Sequence, residues 1–125
     1  AIGYALHWPD RKALPVERLD LAAIGQLTFR APCENRWPAL RLAREVMETG
    51  GLAGAVFNAA KETALDGFIA GKLRFTEMAG IVEDVLTAVS AQQGHIDAIM
   101  TLENVASIDH LARNVAQAAI NRKAA

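Results

Sequence analysis

The sequence predicts a mainly α protein: a four-helix bundle preceded by an extended leader with one or two short strands. Three observations carry this prediction. Leu52–Gly71 is apolar on most of its circumference, as a helix buried on several sides must be. Met78, Ile81, Val82, Val85, Leu86 and Val89 recur at the spacing of a single helix face. Only between Leu19 and Ala31 does the period fall to two.

In chain order, Ile2–Leu6 is a short apolar piece closed by His7-Trp8-Pro9-Asp10, because proline disfavours helix at the residue before it. Asp10, Arg11 and Lys12 form a polar connection, and Pro15 keeps the next residues extended. Leu19, Leu21 and Ala23 then alternate with Asp20 and Ala22. Leu27, Phe29 and Ala31 alternate with Thr28 and Arg30, so this stretch reads as two short strands. Two short strands need a third strand or a helix to cover their apolar face, and no strand signal appears downstream. The sheet they would join is expected to lie outside this chain, leaving residues 1–35 partly mobile.

Pro32-Cys33-Glu34-Asn35 breaks the strand. Asn35 is the expected N-cap, and Pro38 falls in the first turn, where its missing N–H costs nothing. That helix runs to about Glu48, with Leu40, Ala43, Val46 and Met47 inward. Arg41–Glu45 and Arg44–Glu48 form i,i+4 pairs on its outer side. Thr49-Gly50-Gly51 ends it. The central helix comes next, and its Ala53, Gly54, Ala59 and Ala60 are small enough to let neighbours approach closely. Lys72–Arg74 links to a helix capped by Thr76 and closed by Gln92-Gln93-Gly94. Thr101 caps a single turn through Val105. Ser107 caps a last helix with Asp109 at its start and Leu111, Val115, Ala118 and Ala119 on its inner face.

A hydrophobic content of 52% with 22% charged residues is that of a globular chain. The net charge of -1 provides no basic field for nucleic acid or an anionic membrane surface. Lys61, Glu62 and Asp66 interrupt the most apolar stretch, so no membrane span is expected. Cys33 is the only cysteine, which excludes an intramolecular disulfide and a multi-cysteine zinc site. The first residues lack a basic region leading into an apolar run. That favours a cytoplasmic protein, and an opening on Ala1 suggests an excised piece.

Chemistry-bearing residues are sparse. Asn58, Glu62 and Asp66 share one stripe of the central helix, but a di-metal bundle wants Glu-x-x-His pairs, and none is present. Asn58 is expected to bond nearby backbone, with the charges at a wet edge. His7, His95 and His110 are scattered. His110 is expected in solvent, and His7 with Trp8 in a packing corner. Gly50-Gly51-x-x-Gly54 lacks the preceding strand and the Lys-Ser/Thr of a phosphate loop, so it reads as helix punctuation. Trp8, Phe29, Trp37, Phe57, Phe68 and Phe75 are spread through the sequence, as core and corners are, and not as a stacking platform. No catalytic, cofactor-binding or metal-ligating residue is therefore assigned. From the residues alone, the chain is a helical packing or interaction module. A stand-alone adaptor is the alternative to a part of something larger, and a metalloenzyme built on Glu62 and Asp66 comes third.

Four blocks narrow this. YALHWPDR (Tyr4–Arg11), LDLAAIGQLTFRAP (Leu19–Pro32), RWPALRLA (Arg36–Ala43) and FNAAKE (Phe57–Glu62), in this order and spacing, resemble the C-terminal part of the 1-deoxy-D-xylulose 5-phosphate reductoisomerase family. VASIDHLAR (Val105–Arg113) agrees in pattern. The family commonly has Asn where this chain has Lys61, and Asp where it has Cys33. The resemblance implies a homodimeric enzyme of isoprenoid biosynthesis that uses NADPH and a divalent cation (Mg, Mn or Co) to make 2-C-methyl-D-erythritol 4-phosphate. It implies that residues 1–35 are the tail of the catalytic domain and a connecting segment, and that residues 36–125 are the C-terminal helical bundle. The family's catalytic motifs all precede the point matched by Ile2. No catalytic, cofactor or metal residue carries over, no cofactor is expected on this chain, and the isolated chain is expected to be inactive. The implied partners are the N-terminal and catalytic domains of the same polypeptide.

Overall fold

The computed structural model describes residues 1–124. They form α1 (Ile2–His7), α2 (Leu21–Ile24), α3 (Pro38–Thr49), α4 (Ala53–Ile69), a 3₁₀ turn (Phe75–Glu77), α5 (Met78–Ser90) and α6 (Leu102–Ala124). The chain divides into two compact units, Ala1–Ala31 and the residues from Pro32 onward.

In the first unit the expected strands are replaced. Leu21–Ile24 is one helical turn, because the Asp20 carboxylate accepts from the N–H groups of Ala22 (2.9 Å) and Ala23 (3.1 Å). This side-chain cap offers the backbone a local alternative to a ladder. Gly25, at φ +71°, ends the turn by donating its N–H to the Leu21 carbonyl. Leu27–Ala31 runs without regular structure, and no strand occurs among the described residues. Alternation marks a half-buried surface, but a strand exists only when a neighbour supplies the ladder. Ile2–His7 is helical. The His7 Nδ1 bonds the Gly3 carbonyl at 2.8 Å, and Trp8 packs edge-on against Tyr4, so His7 and Trp8 do form a local corner. No residue of this unit is buried.

From Pro32 onward the four helices α3–α6 make the bundle. α4 is its centre, packed against α3, α5 and α6. Its buried residues Val56, Ala59, Ala60 and Ala64 join Ile81, Val82, Val85 and Val89 of α5 and Ile108, Ala112, Ala116 and Ile120 of α6 in one core. Small residues allow the close approach between α4 and α6: a Cβ on Gly67 would stand 3.1 Å from the Ile120 Cδ1. The one buried polar side chain among the described residues, Thr63, donates its hydroxyl to the Ala59 carbonyl at 2.9 Å. Gly51 is the position where glycine is required: its φ is +52°, and a Cβ there would collide with the Ile96 carbonyl oxygen. That same oxygen accepts from the Leu52 N–H at 2.9 Å and ties the loop after α5 to the start of α4.

Several local expectations are corrected. The N-cap position of α3 is Trp37 and not Asn35, without a side-chain cap, because Pro38 holds the residue before it out of the helical region. Its buried residue is Leu42; Leu40 and Met47, expected inward, are exposed. Thr76 does not cap α5. The Glu77 carboxylate instead closes the preceding 3₁₀ turn, accepting from the Arg74 N–H at 2.8 Å and the Arg74 guanidinium at 3.0 Å, and α5 follows without a side-chain cap. Arg74 thereby holds the Glu77 carboxyl down at about 2. The expected turn at Thr101 and the helix expected from Ser107 are one helix. No glycine or proline separates them, and Val105, Ile108, Ala112, Ala116 and Ile120 form one continuous stripe. Asp109 is therefore mid-helix, and Ala118 is exposed.

Candidate functional site

Two ion-pair clips hold the bundle's edges. Arg41 on α3 donates to Glu45 one turn on (2.8 Å) and across to Glu83 of α5 (2.6 Å). Arg113 on α6 donates to Asp109 (2.7 Å) and across to Glu62 of α4 (2.7 Å). Facing two carboxylates, each guanidinium is held protonated above its ordinary range. Arg113 first, then the Asn58 amide, pulls the Glu62 carboxyl below its ordinary value. Of the pairs expected from the sequence, Arg41–Glu45 forms, whereas Arg44 turns to Glu34 at 3.2 Å and not to Glu48. Asn58 bonds the Glu62 side chain, not backbone.

Within the polar stripe of α4, Glu62 is thus engaged in holding α6, with Asn58 bonded to it. No group of three His, Cys, Asp or Glu residues that could hold a metal ion occurs among the described residues. His110 and Cys33 are exposed. His95, beside Ile96 in the loop after α5, has a buried Nδ1 without a partner among the described residues.

The bundle carries an apolar groove of about 590 Å³. It is bounded by the segment entering α3 (Arg36, Trp37, Pro38 and Leu40), by Phe57, Lys61 and Ala64 of α4, and by Phe75, Met78 and Val82 around the start of α5. Arg36 lies over the Trp37 ring at 5.3 Å, and Phe68 meets Phe75 edge-on at 5.9 Å. Trp37 and Phe75 remain 50% and 66% exposed. Aromatic residues far apart in the sequence therefore converge, which their spacing did not predict. The legible signal was position: Trp37 immediately precedes α3 and Phe75 opens the turn into α5, so both project from helix ends. Chemically the groove offers apolar surface, the Thr76 hydroxyl and two cationic groups; its lining holds no carboxylate, cysteine or histidine.

Comparison with known proteins places this architecture. The family described as the DXP reductoisomerase C-terminal domain matches residues 1–115. The 1-deoxy-D-xylulose 5-phosphate reductoisomerase of Ruegeria pomeroyi is 64% identical over 99% of this chain, which covers 31% of that relative. The Zymomonas mobilis reductoisomerase solved with NADPH is 39% identical and superposes with a TM-score of 0.76 over 95% of this chain and 30% of its own. A DOX-P reductoisomerase solved with NADPH, fosmidomycin and magnesium is 32% identical, with a TM-score of 0.76 over 96% of this chain and 30% of its own. The chain spans less than a third of the length of these relatives. A four-helix bundle with α4 at its centre, matched over almost its whole length, belongs to the DXP reductoisomerase C-terminal domain family.

Proposed function

We propose that this chain is the C-terminal helical part of a longer 1-deoxy-D-xylulose 5-phosphate reductoisomerase, acting as a structural domain without reacting groups. Residues 1–35 form the end of the catalytic domain and the connection, and residues 36–125 form the bundle. The complete polypeptide rearranges and reduces 1-deoxy-D-xylulose 5-phosphate to 2-C-methyl-D-erythritol 4-phosphate as a cytoplasmic homodimer, using NADPH and a divalent cation. The observation that carries this reading is the match of residues 1–115 to a C-terminal domain in relatives more than three times as long.

The described residues of this chain do not fit either cofactor. Glu62 and Asp109 are both occupied by Arg113, which leaves no carboxylate cluster for a cation among the described residues. The groove is walled by apolar side chains, and no glycine lines it to bring backbone N–H groups close to a diphosphate. No chemical step is therefore assigned to this chain.

The test compares the full-length polypeptide with the 125-residue chain. NADPH oxidation is followed by its absorbance, with magnesium and saturating substrate. Full-length protein is expected to oxidise NADPH only when the sugar phosphate is present, and the 125-residue chain is expected to do nothing. Saturable NADPH binding by the short chain, or no substrate-dependent oxidation by the long one, would overturn the reading.

A further inference from the structure

We propose that the groove over Trp37, Leu40 and Phe75 is a docking seat for the same polypeptide: an apolar, carboxylate-bearing segment of the part that precedes this domain. This rests on the proposal that the chain is one domain of a longer enzyme. Three features point to that occupant. First, the floor is built from three elements, with Trp37, Phe57 and Phe75 each contributing an aromatic ring, and its rim leaves Trp37, Leu40 and Phe75 in solvent. Contiguous exposed apolar surface of this kind marks an interface, and exposed aromatic residues are what interface centres are built from.

Second, the lining's ionisable groups are Arg36 and Lys61, both cationic, and neither is ion-paired among the described residues. The complementary surface is therefore apolar and acidic. Third, the groove opens beside Arg36 and Trp37, where the backbone enters the bundle. The matched relatives carry more than two thirds of their length outside this domain. In a longer polypeptide that material is joined to the groove's edge through residues 1–35, at a local concentration no independent partner matches. A second copy has no such advantage.

The experiment is hydroxyl-radical footprinting of the full-length polypeptide and of the 125-residue chain, with carbodiimide coupling of Lys61 in a mixture of light and heavy isotopic preparations. In the short chain, Trp37 and Phe75 are expected to be oxidised as readily as their exposure dictates. In the full-length protein their modification should fall by about an order of magnitude, as for residues at an interface centre. Met47 and Met100, exposed outside the groove, serve as the unchanged references. Lys61 should couple to an acidic residue preceding this domain, in pairs that are wholly light or wholly heavy. Equal oxidation of Trp37 and Phe75 in both proteins would overturn the proposal, and so would mixed light–heavy pairs, which assign the groove to a second copy. Turnover by the same full-length preparation tests the parent reading separately: active enzyme with an unprotected groove breaks this inference alone.

Discussion

Residues 1–31 and the bundle are both rich in large apolar side chains, yet only the bundle has a core. In the first region Ile2, Leu6, Trp8, Leu19, Leu21, Leu27 and Phe29 are all exposed. In the second, Val56, Ile81, Val85, Val89 and Ile120 are fully buried. The difference lies in pattern and length. Helices of 12 to 23 residues can each present a whole apolar stripe to a neighbour. One or two isolated turns, held by Asp20 and Gly25, cannot. Hydrophobic composition is therefore not what makes a region self-supporting; the repeat that gathers it on one face is.

The comparison breaks most visibly in the core. Ile81→Ala removes a fully buried side chain from α5 and is expected to cost about 2–5 kcal/mol. Phe29→Ala, at 86% exposure, should change stability by no more than about 0.5 kcal/mol. Denaturant unfolding of the chain followed by circular dichroism checks both. Equal effects would mean that residues 1–31 contribute to the same cooperative unit.

A smaller effect sharpens why α4 and α6 pack closely. Ala116→Leu inserts bulk where α6 has no space and is expected to cost about 1–3 kcal/mol, read in the same unfolding experiment. A neutral result would show that the helices can separate without loss.

The smallest effect concerns the clips. Arg113→Ala should lower stability slightly at low salt, and the deficit should vanish as salt rises, because the pair is partly solvated. The sign with pH comes from the carboxyls. Glu62 and Glu77 have folded values below their ordinary 4.5, the latter about 2. Their contribution is fully present above the ordinary carboxylate range and is lost as pH falls through the depressed values. Thermal melts from neutral pH into acid should thus show wild type losing its advantage over Arg113→Ala once the pH drops below the ordinary carboxylate range. An advantage that grew in acid would contradict the assigned pairing.

Much of the bundle was legible because its signals are local and repetitive. The Val- and Ile-rich face of α5, the near-uniform apolarity of α4 and the glycine pair before it all translate directly into packing. Single-residue register was less legible. The sequence periodicity placed Leu40 on the inner face and not Leu42, but the contacts of α3 with α4 and α5 bury Leu42 and turn Leu40 to the groove. The strand expectation for Leu19–Ala31 failed for a different reason: alternation reports which face is apolar and carries no information about whether a partner strand is present.

By itself the sequence determined the helical class, the central place of α4 and, through ordered blocks from Tyr4 to Glu62, the family, since these depend on periodicity and order along one chain. Only the tertiary structure decided that Arg113 bridges to Glu62 across a separation of 51 residues, and that Trp37, Phe57 and Phe75 share one groove. Both are juxtapositions of distant segments. They are set by how helix faces pack against one another, which the one-dimensional spacing of those residues does not encode.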